Sequence, residues 1–237
     1  MGQDLNMMAL INSPEWGEAR VEPSGALLLF ALVQGLRPQL IVDSGTYRGL
    51  SATVFALACP EAHIHTFDPV DHGAREHWER WGVADRITFH QQPSVSPPDQ
   101  LRDVHFAFFD AADHDELIDG KPCGVHTGDY ALEEWGVWRE RLIPGASVGW
   151  HDSLPHSSLY AGLEHIQQTN DLDLVKFFPT PNGLALGIFK PRAWRVRRIL
   201  AHLEQVETGG RPRGCYFWDH PRDIEPMPGM ARLFTGI

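Results

Sequence analysis

The 237-residue sequence predicts an α/β fold. The expected architecture is seven strands in a mostly parallel sheet, helices on both faces and a terminal antiparallel hairpin. Apolar, β-branched runs at 39–43, 63–68, 86–90, 104–110, 146–151, 172–178 and 183–189 alternate with helical patterns at 49–58, 72–81, 129–142 and 157–168. Strands alternating with helices imply parallel neighbours. Leu40-Ile41-Val42 runs into Asp43, then Gly45 and Gly49, then LSATVFALA, which reads as buried strand, tight turn and helix start. The last two strands are separated by little more than PTPNG. That is a hairpin-length connection, so one of the pair runs antiparallel.

Along the chain, residues 1–22 read as an N-terminal arm. Pro23-Ser24 opens a helix, GALLLFALVQGL, with Pro38 just past its end, matching the start and stop preferences of helices. Gly45 lets backbone approach a ligand, because no Cβ intervenes. The second strand, HIHTFD, closes on Asp68. An acid at that tip is the group that grips ribose hydroxyls in nucleoside-binding α/β folds. Residues 113–128, DHDELIDGKPCGVHTG, form a polar loop of unusual length at the carboxyl edge of the sheet and are a candidate lid. The organisation expected is a domain over 1–190, including the arm, and a 191–237 tail packed on it. The tail opens with a basic helix, RAWRVRRILAHLEQV, and contains Tyr216, Phe217 and Trp218. Packing over an apolar edge is its simplest role; a homo-oligomer contact and closure of a substrate pocket are the alternatives.

Composition excludes several classes. Net charge is −11, from 20 basic and 31 acidic side chains, which argues against a nucleic-acid partner. No apolar run reaches the roughly 18 residues of a membrane span, and the first residues lack a cationic segment followed by an apolar core. Cys59, Cys123 and Cys215 are widely spaced and form no Cys-x-x-Cys pair, so a reduced, cytoplasmic protein is expected. His63 and His65 share one strand face and read as a packed pair rather than as metal ligands.

Four motifs carry a resemblance: DSGTYRG (43–49), TFDP (66–69), FAFFDAADH (106–114) and LIPGASVGWHDS (142–153). With the strand order, the chain resembles class I S-adenosylmethionine-dependent methyltransferases of Rossmann-like fold. Within them it is most similar to small-molecule O-methyltransferases of the group that joins macrocin-type sugar O-methyltransferases with cephalosporin-hydroxylase-like proteins. The resemblance covers roughly residues 22–190. It implies that Asp43, Ser44, Gly45, Thr46 and Tyr47 line the methionine part of the cofactor. Gly49 would start the helix beneath it, and Asp68, followed by Pro69, would bind the ribose. Gln92, Pro93 and Ser94 would lie beside adenine, where the group usually carries an acid. Asp110 would face the transferable methyl. The group often reads Asp-Gly-x-His after its fourth strand; here the run is Asp110-Ala-Ala-Asp113-His114, one residue longer. Asp110 is preferred over Asp113 as the first acid because it ends the apolar run directly.

The sulfonium cofactor brings an activated methyl, so the protein must align an acceptor oxygen and help remove its proton. Asp110, His151 and Asp152 end neighbouring strands and can converge there. The site residues expected to act on the acceptor are Asp110, His114, His151 and Asp152. Two readings stay open. One is a divalent cation held by Asp110, His151 and Asp152. Mg2+ suits the carboxylates, whereas related members place Glu-Asp or Asp-Asn where this chain has His-Asp, and imidazole suits other divalent metals. The other is a metal-free base, His151 or His114. A structural role for His151 is a third alternative. The expected function is methyl transfer to a hydroxyl of a small, natural-product-like molecule. The competing readings are N-methyl transfer and a nucleoside-binding protein without catalysis. An NAD enzyme is disfavoured because Gly-x-Gly-x-x-Gly is missing and the sheet ends in a hairpin.

Overall fold

The computed structural model describes residues 7–17, 20–111, 117–118, 121–122 and 126–191. The elements are α1 (Met7–Ile11), α2 (Pro23–Leu36), β1 (Leu40–Ser44), α3 (Leu50–Ala58), β2 (His63–Phe67), α4 (Ala74–Arg80), β3 (Ile87–His90) and β4 (Val104–Phe109). They continue with β5 (Leu117–Ile118), β6 (Lys121–Pro122), α5 (Gly128–Trp138), β7 (Leu142–His151), α6 (Ser158–Gln168), β8 (Leu172–Phe178) and β9 (Leu184–Phe189). The main sheet has seven strands in the order β3-β2-β1-β4-β7-β9-β8, and β5 and β6 form a separate two-stranded ribbon. β1 pairs in parallel with β2 and β4, β2 with β3, and β4 with β7. β9 runs antiparallel to both β7 and β8, as the short PTPNG connection requires.

Period-two alternation divides the core. On one face Ile41, Ile64, Phe106 and Phe108 meet α2, α3 and the Trp78 side of α4. On the other, Val42, Phe67, Ala107, Phe109, Val148 and Trp150 meet α5 and α6. Such a sheet, buried on both sides, explains why its strands are almost continuously apolar. α5 and α6 touch backbone to backbone: a Cβ on Gly128 would lie 2.5 Å from the Ser158 carbonyl oxygen, and one on Gly162 would lie 2.6 Å from that of Gly128. The N-terminal arm contributes to the core rather than lying over it. Leu10, Ile11 and Trp16 are fully buried, and the Trp16 indole donates to the Leu10 carbonyl at 2.7 Å.

One expected element differs. The helix anticipated over 129–142 ends at Trp138, and β7 already begins at Leu142. Trp135, Trp138 and Leu142 continue a helical spacing. However, Pro144 disfavours a helical residue before it, and Leu142 instead pairs with Val104 before a register shift. The 192–237 tail, most of the 113–128 loop, Cys123 and Cys215 lie outside the described residues. Among the described residues no helix is long and apolar enough to cross a membrane.

The strand order reverses between β1 and β4, whose carboxyl ends are therefore flanked by connections leaving in opposite directions. Ligands of open α/β sheets bind in the crevice this creates. Asp43, Asp68, Asp110, His151 and Asp152 all stand at that edge, at or just past the ends of β1, β2, β4 and β7.

Candidate active site

The first half of the site is a cradle at the tips of β1 and β2. Asp43 is completely buried and accepts from Ser51 Oγ at 3.0 Å and from Thr66 Oγ1 at 2.7 Å. Its other oxygen, Oδ1, has no hydrogen-bond partner among the described residues. Burial pushes its carboxyl up to about 7; Thr66 and Ser51 oppose that shift, while Asp110 and Asp68 add to it. Thr46 and Thr66 share a hydrogen bond of 2.7 Å behind it. Gly45 holds φ +95, and a Cβ there would stand 2.3 Å from the Asp110 carbonyl oxygen. Only glycine fits both the left-handed backbone and the close approach. Asp68 is buried beyond β2, and its two oxygens accept separately from the backbone N–H groups of Tyr47, at 2.8 Å, and Val70, at 2.9 Å. This ties the β1 turn to the β2 tip and leaves each oxygen with further acceptor capacity. Gly49 caps α3. Pro69 is half-buried in the bend after β2, and Gln92 is half-buried beyond β3, donating to the Ser96 carbonyl.

Ser44 and Ser94 face elsewhere. Both hydroxyls donate to Oε1 of Glu134 on α5, Ser94 at 2.6 Å, while His126 Nε2 lies 2.9 Å from the same residue's Oε2. Glu134 is fully buried and His126 is nearly so. This cluster clasps the end of β1 and the connection after β3 to α5, and neither Glu134 nor His126 was expected from the sequence. A signal existed for Glu134: it falls on the Ala131-Trp135-Trp138 stripe, one face of α5.

The second half lies at the tips of β4 and β7. The Asp110 N–H donates to the Ser44 carbonyl at 2.8 Å, which fixes this tip against the cradle. His151 is 3% exposed. Its Nδ1 lies 2.9 Å from Asp110 Oδ1 and 3.3 Å from Asp152 Oδ1, and its Nε2 lies 2.5 Å from Oε2 of Glu22, the residue that opens α2. Burial alone would lower the imidazole's pKa, but Asp110, Glu22 and Asp152 outweigh it and lift it to about 11. Burial holds the Asp152 carboxyl above its usual range, and Asp110 adds to that while His151 and His126 oppose it. Asp152 holds φ +58, an uncommon backbone for a non-glycine residue that clusters at functional sites. One ligand atom each from Asp110, His151 and Asp152 can be chosen so that all lie within 4.8 Å of one another.

Asp43, Gly45, Thr46, Tyr47, Gly49, Asp68, Asp110, His151 and Asp152 thus line one continuous edge, while Ser44 and Ser94 turn to Glu134. His114 and Asp113 lie outside the described residues. Glu22 was not expected: Glu-Pro at a helix start reads as a capping position, and 129 residues separate it from His151. The crevice at Gly45–Ser51 and Asp110 is walled by Trp16, Arg20 and Val21 of the arm. A wider groove runs between α4 and β3, lined by Asp71, Arg75, Trp78 and Thr88; the convergence of carboxylates, not cavity size, locates the site. His63 and His65 are occupied within the sheet, with His63 2.8 Å from the Thr88 hydroxyl and His65 2.8 Å from His90. Burial holds His65 neutral, with its pKa lowered to about 4.

The two halves fit an adenosyl sulfonium. The half-satisfied Asp43 offers a buried oxygen, the Asp68 carboxylate open acceptor capacity, and the bare Gly45 close backbone approach. Residues 42–153 match the profile of a family described as a methyltransferase domain. No curated protein matches the chain. Among solved structures, a methyltransferase from Geobacter sulfurreducens is 21% identical, with a TM-score of 0.60 over 81% of this chain and 91% of that one. The O-methyltransferase TomG from Streptomyces achromogenes, solved in complex with S-adenosylmethionine, is 16% identical, with a TM-score of 0.55 over 80% and 92%. An S-adenosylmethionine-dependent O-methyltransferase from Thermotoga maritima is 13% identical, with a TM-score of 0.59 over 78% and 71%. Family profile and fold agree: residues 42–153 carry a methyltransferase domain, on a fold shared with S-adenosylmethionine-dependent methyltransferases.

Proposed function

We propose that this methyltransferase acts on a hydroxyl of a small molecule, natural-product-like in size, with a divalent cation assisting at Asp110, His151 and Asp152. The observation that carries the reading is the meeting of those three side chains beside the cradle, at a crevice walled by the arm. The net charge of −11 disfavours nucleic acid as the substrate, which favours a small acceptor.

In the overall reaction the acceptor oxygen forms a bond to the methyl carbon, the S–C bond breaks, and the sulfur keeps its electron pair as the acceptor proton leaves. Asp68 has acceptor capacity on both oxygens for the ribose hydroxyls, and charge-assisted bonds of that kind contribute about 1.5–3 kcal/mol each. Asp43 supplies a buried acceptor at the methionine end. Asp110 joins the two halves, since its backbone is pinned to Ser44 and its side chain to His151. Both imidazole nitrogens are engaged by carboxylates, so in the ligand-free protein His151 holds a proton on each and is no free base; a cation at Nδ1 would take the place of one of those protons. Asp152, with a side chain 36% exposed, is the most open member of the trio and is placed to meet the acceptor. A bound cation would orient the acceptor hydroxyl and lower its pKa. Aligning the reactants can lower the barrier by several kcal/mol, about 7–11 in the best cases.

The test is a panel of catechols, vicinal diols and amines incubated with S-adenosylmethionine, with and without a chelator, and read by mass. Methylation of a hydroxyl substrate that stops on chelation and returns with added metal is the expected result. Methylation confined to amines would overturn the oxygen assignment, and activity indifferent to chelation would overturn the cation.

A further inference from the structure

Glu22 makes an unusual use of its position. It is the N-cap of α2, yet its side chain makes no capping bond, whereas acids at N-caps normally serve the helix's own N–H groups. Pro23, without an N–H, follows it. The carboxylate is 9% exposed and reaches His151 Nε2 at 2.5 Å instead. Residue 25 leaves room for it: a Cβ on Gly25 would stand 3.0 Å from Glu22 Oε1 and 2.9 Å from a Val21 methyl. The opposite imidazole nitrogen faces Asp110 and Asp152 at 2.9 and 3.3 Å. Ligand atoms at right angles around a cation with bonds of about 2.1 Å stand about 3 Å apart; Nδ1 already has that spacing to both carboxylates, and one ligand atom from each of the three lies within 4.8 Å of the others.

We propose that Glu22 is the positioning carboxylate of the cation site: it takes the Nε2–H of His151 and thereby presents Nδ1, with Asp110 and Asp152, to a first-row transition-metal ion. The proposal rests on the cation-assisted reading above. Ligating histidines regularly give their second N–H to a carboxylate, which fixes the tautomer and ring orientation. A nitrogen in the set favours a transition metal over Mg2+, which prefers oxygen. The N-terminal arm, which walls the cradle, thereby also sets the cation's ligand geometry.

Mn2+ is the probe, bound to the full-length protein without substrate and followed by calorimetry and electron spin-echo spectroscopy. The expected result is 14N coupling in the wild type, retained under a large excess of Mg2+. Glu22→Ala should weaken Mn2+ by about ten- to a hundredfold. Glu22→Gln, whose amide oxygen can still accept the Nε2–H, should fall between. S-adenosylhomocysteine affinity should stay within about threefold in both variants, which shows that they are folded. Unchanged Mn2+ affinity and unchanged 14N coupling in Glu22→Ala would overturn the role of Glu22. Mn2+ bound without 14N coupling, or displaced by Mg2+, would overturn the nitrogen ligand. No Mn2+ binding by the wild type would overturn the cation itself, whereas the nucleoside titration tests the cradle separately.

Discussion

The cradle at β1 and β2 and the tip at β4 and β7 are built on different scales. In the cradle, Asp43 is held by Ser51 and Thr66, 8 and 23 residues away, and Tyr47 meets Asp68 over 21. At the tip, His151 draws on Asp110 across 41 residues and on Glu22 across 129. A cradle made by one βαβ unit is assembled by local folding, and its parts recur as a compact motif. A tip assembled from a helix N-terminus and two distant strands depends on the whole sheet being in register. Damage to the scaffold should therefore show at the tip before it shows in the cradle.

The largest effect expected is on the clasp that holds the cradle to α5. Glu134→Ala leaves Ser44, Ser94 and His126 without their shared buried acceptor, and breaking a buried pair typically costs about 3–5 kcal/mol. For a chain of this size the thermal midpoint should fall by about 6 °C or more. A midpoint within about 1 °C of wild type would show that the cluster is not structural. Next comes Asp152→Ala, which should lower turnover about a hundredfold or more while cofactor affinity stays within about threefold. Loss of cofactor binding with turnover preserved at saturation would mean the two regions have been assigned the wrong way round. Asp68→Ala should weaken S-adenosylmethionine at least about tenfold, the size of one lost charge-assisted hydrogen bond; unchanged affinity by calorimetry would remove the ribose assignment.

The last effect expected is a pH slope that originates in the cradle. The folded pKa of Asp43, about 7, exceeds its ordinary value of 3.8, so between those values the folded protein holds a proton that the unfolded chain has lost. Stability of the ligand-free protein should fall as pH rises through that window and level off above it. Asp43→Asn should remove this part of the slope in denaturant titrations. A slope identical to that of wild type would show that the carboxylate is not held protonated.

The same contrast governs what could be read from the sequence. Strand and helix positions were legible because each strand of the doubly covered sheet is a short apolar run punctuated by Gly, Pro or an acid. The end of α5 was not, since Trp135, Trp138 and Leu142 keep a helical spacing that Pro144 and pairing with Val104 override. In the site, Asp43, Gly45 and Asp68 stand out because glycine and acid at strand ends carry a backbone reason. Glu22 does not, because Glu-Pro at a helix start looks like a cap and nothing local points to a strand so far along the chain. Ser44 and Ser94 illustrate the reverse case. The resemblance implies cofactor contact for both, and in the structure the buried carboxylate of Glu134 takes both hydroxyls.

The most direct measurement is a crystal of the protein grown with S-adenosylhomocysteine and Mn2+, with anomalous scattering recorded for the metal. The account predicts the ribose on Asp68, the sulfur facing Asp110, and one anomalous peak bounded by Asp110, His151 Nδ1 and Asp152. A nucleoside lying away from the first two strand tips, or a peak remote from His151, would contradict it.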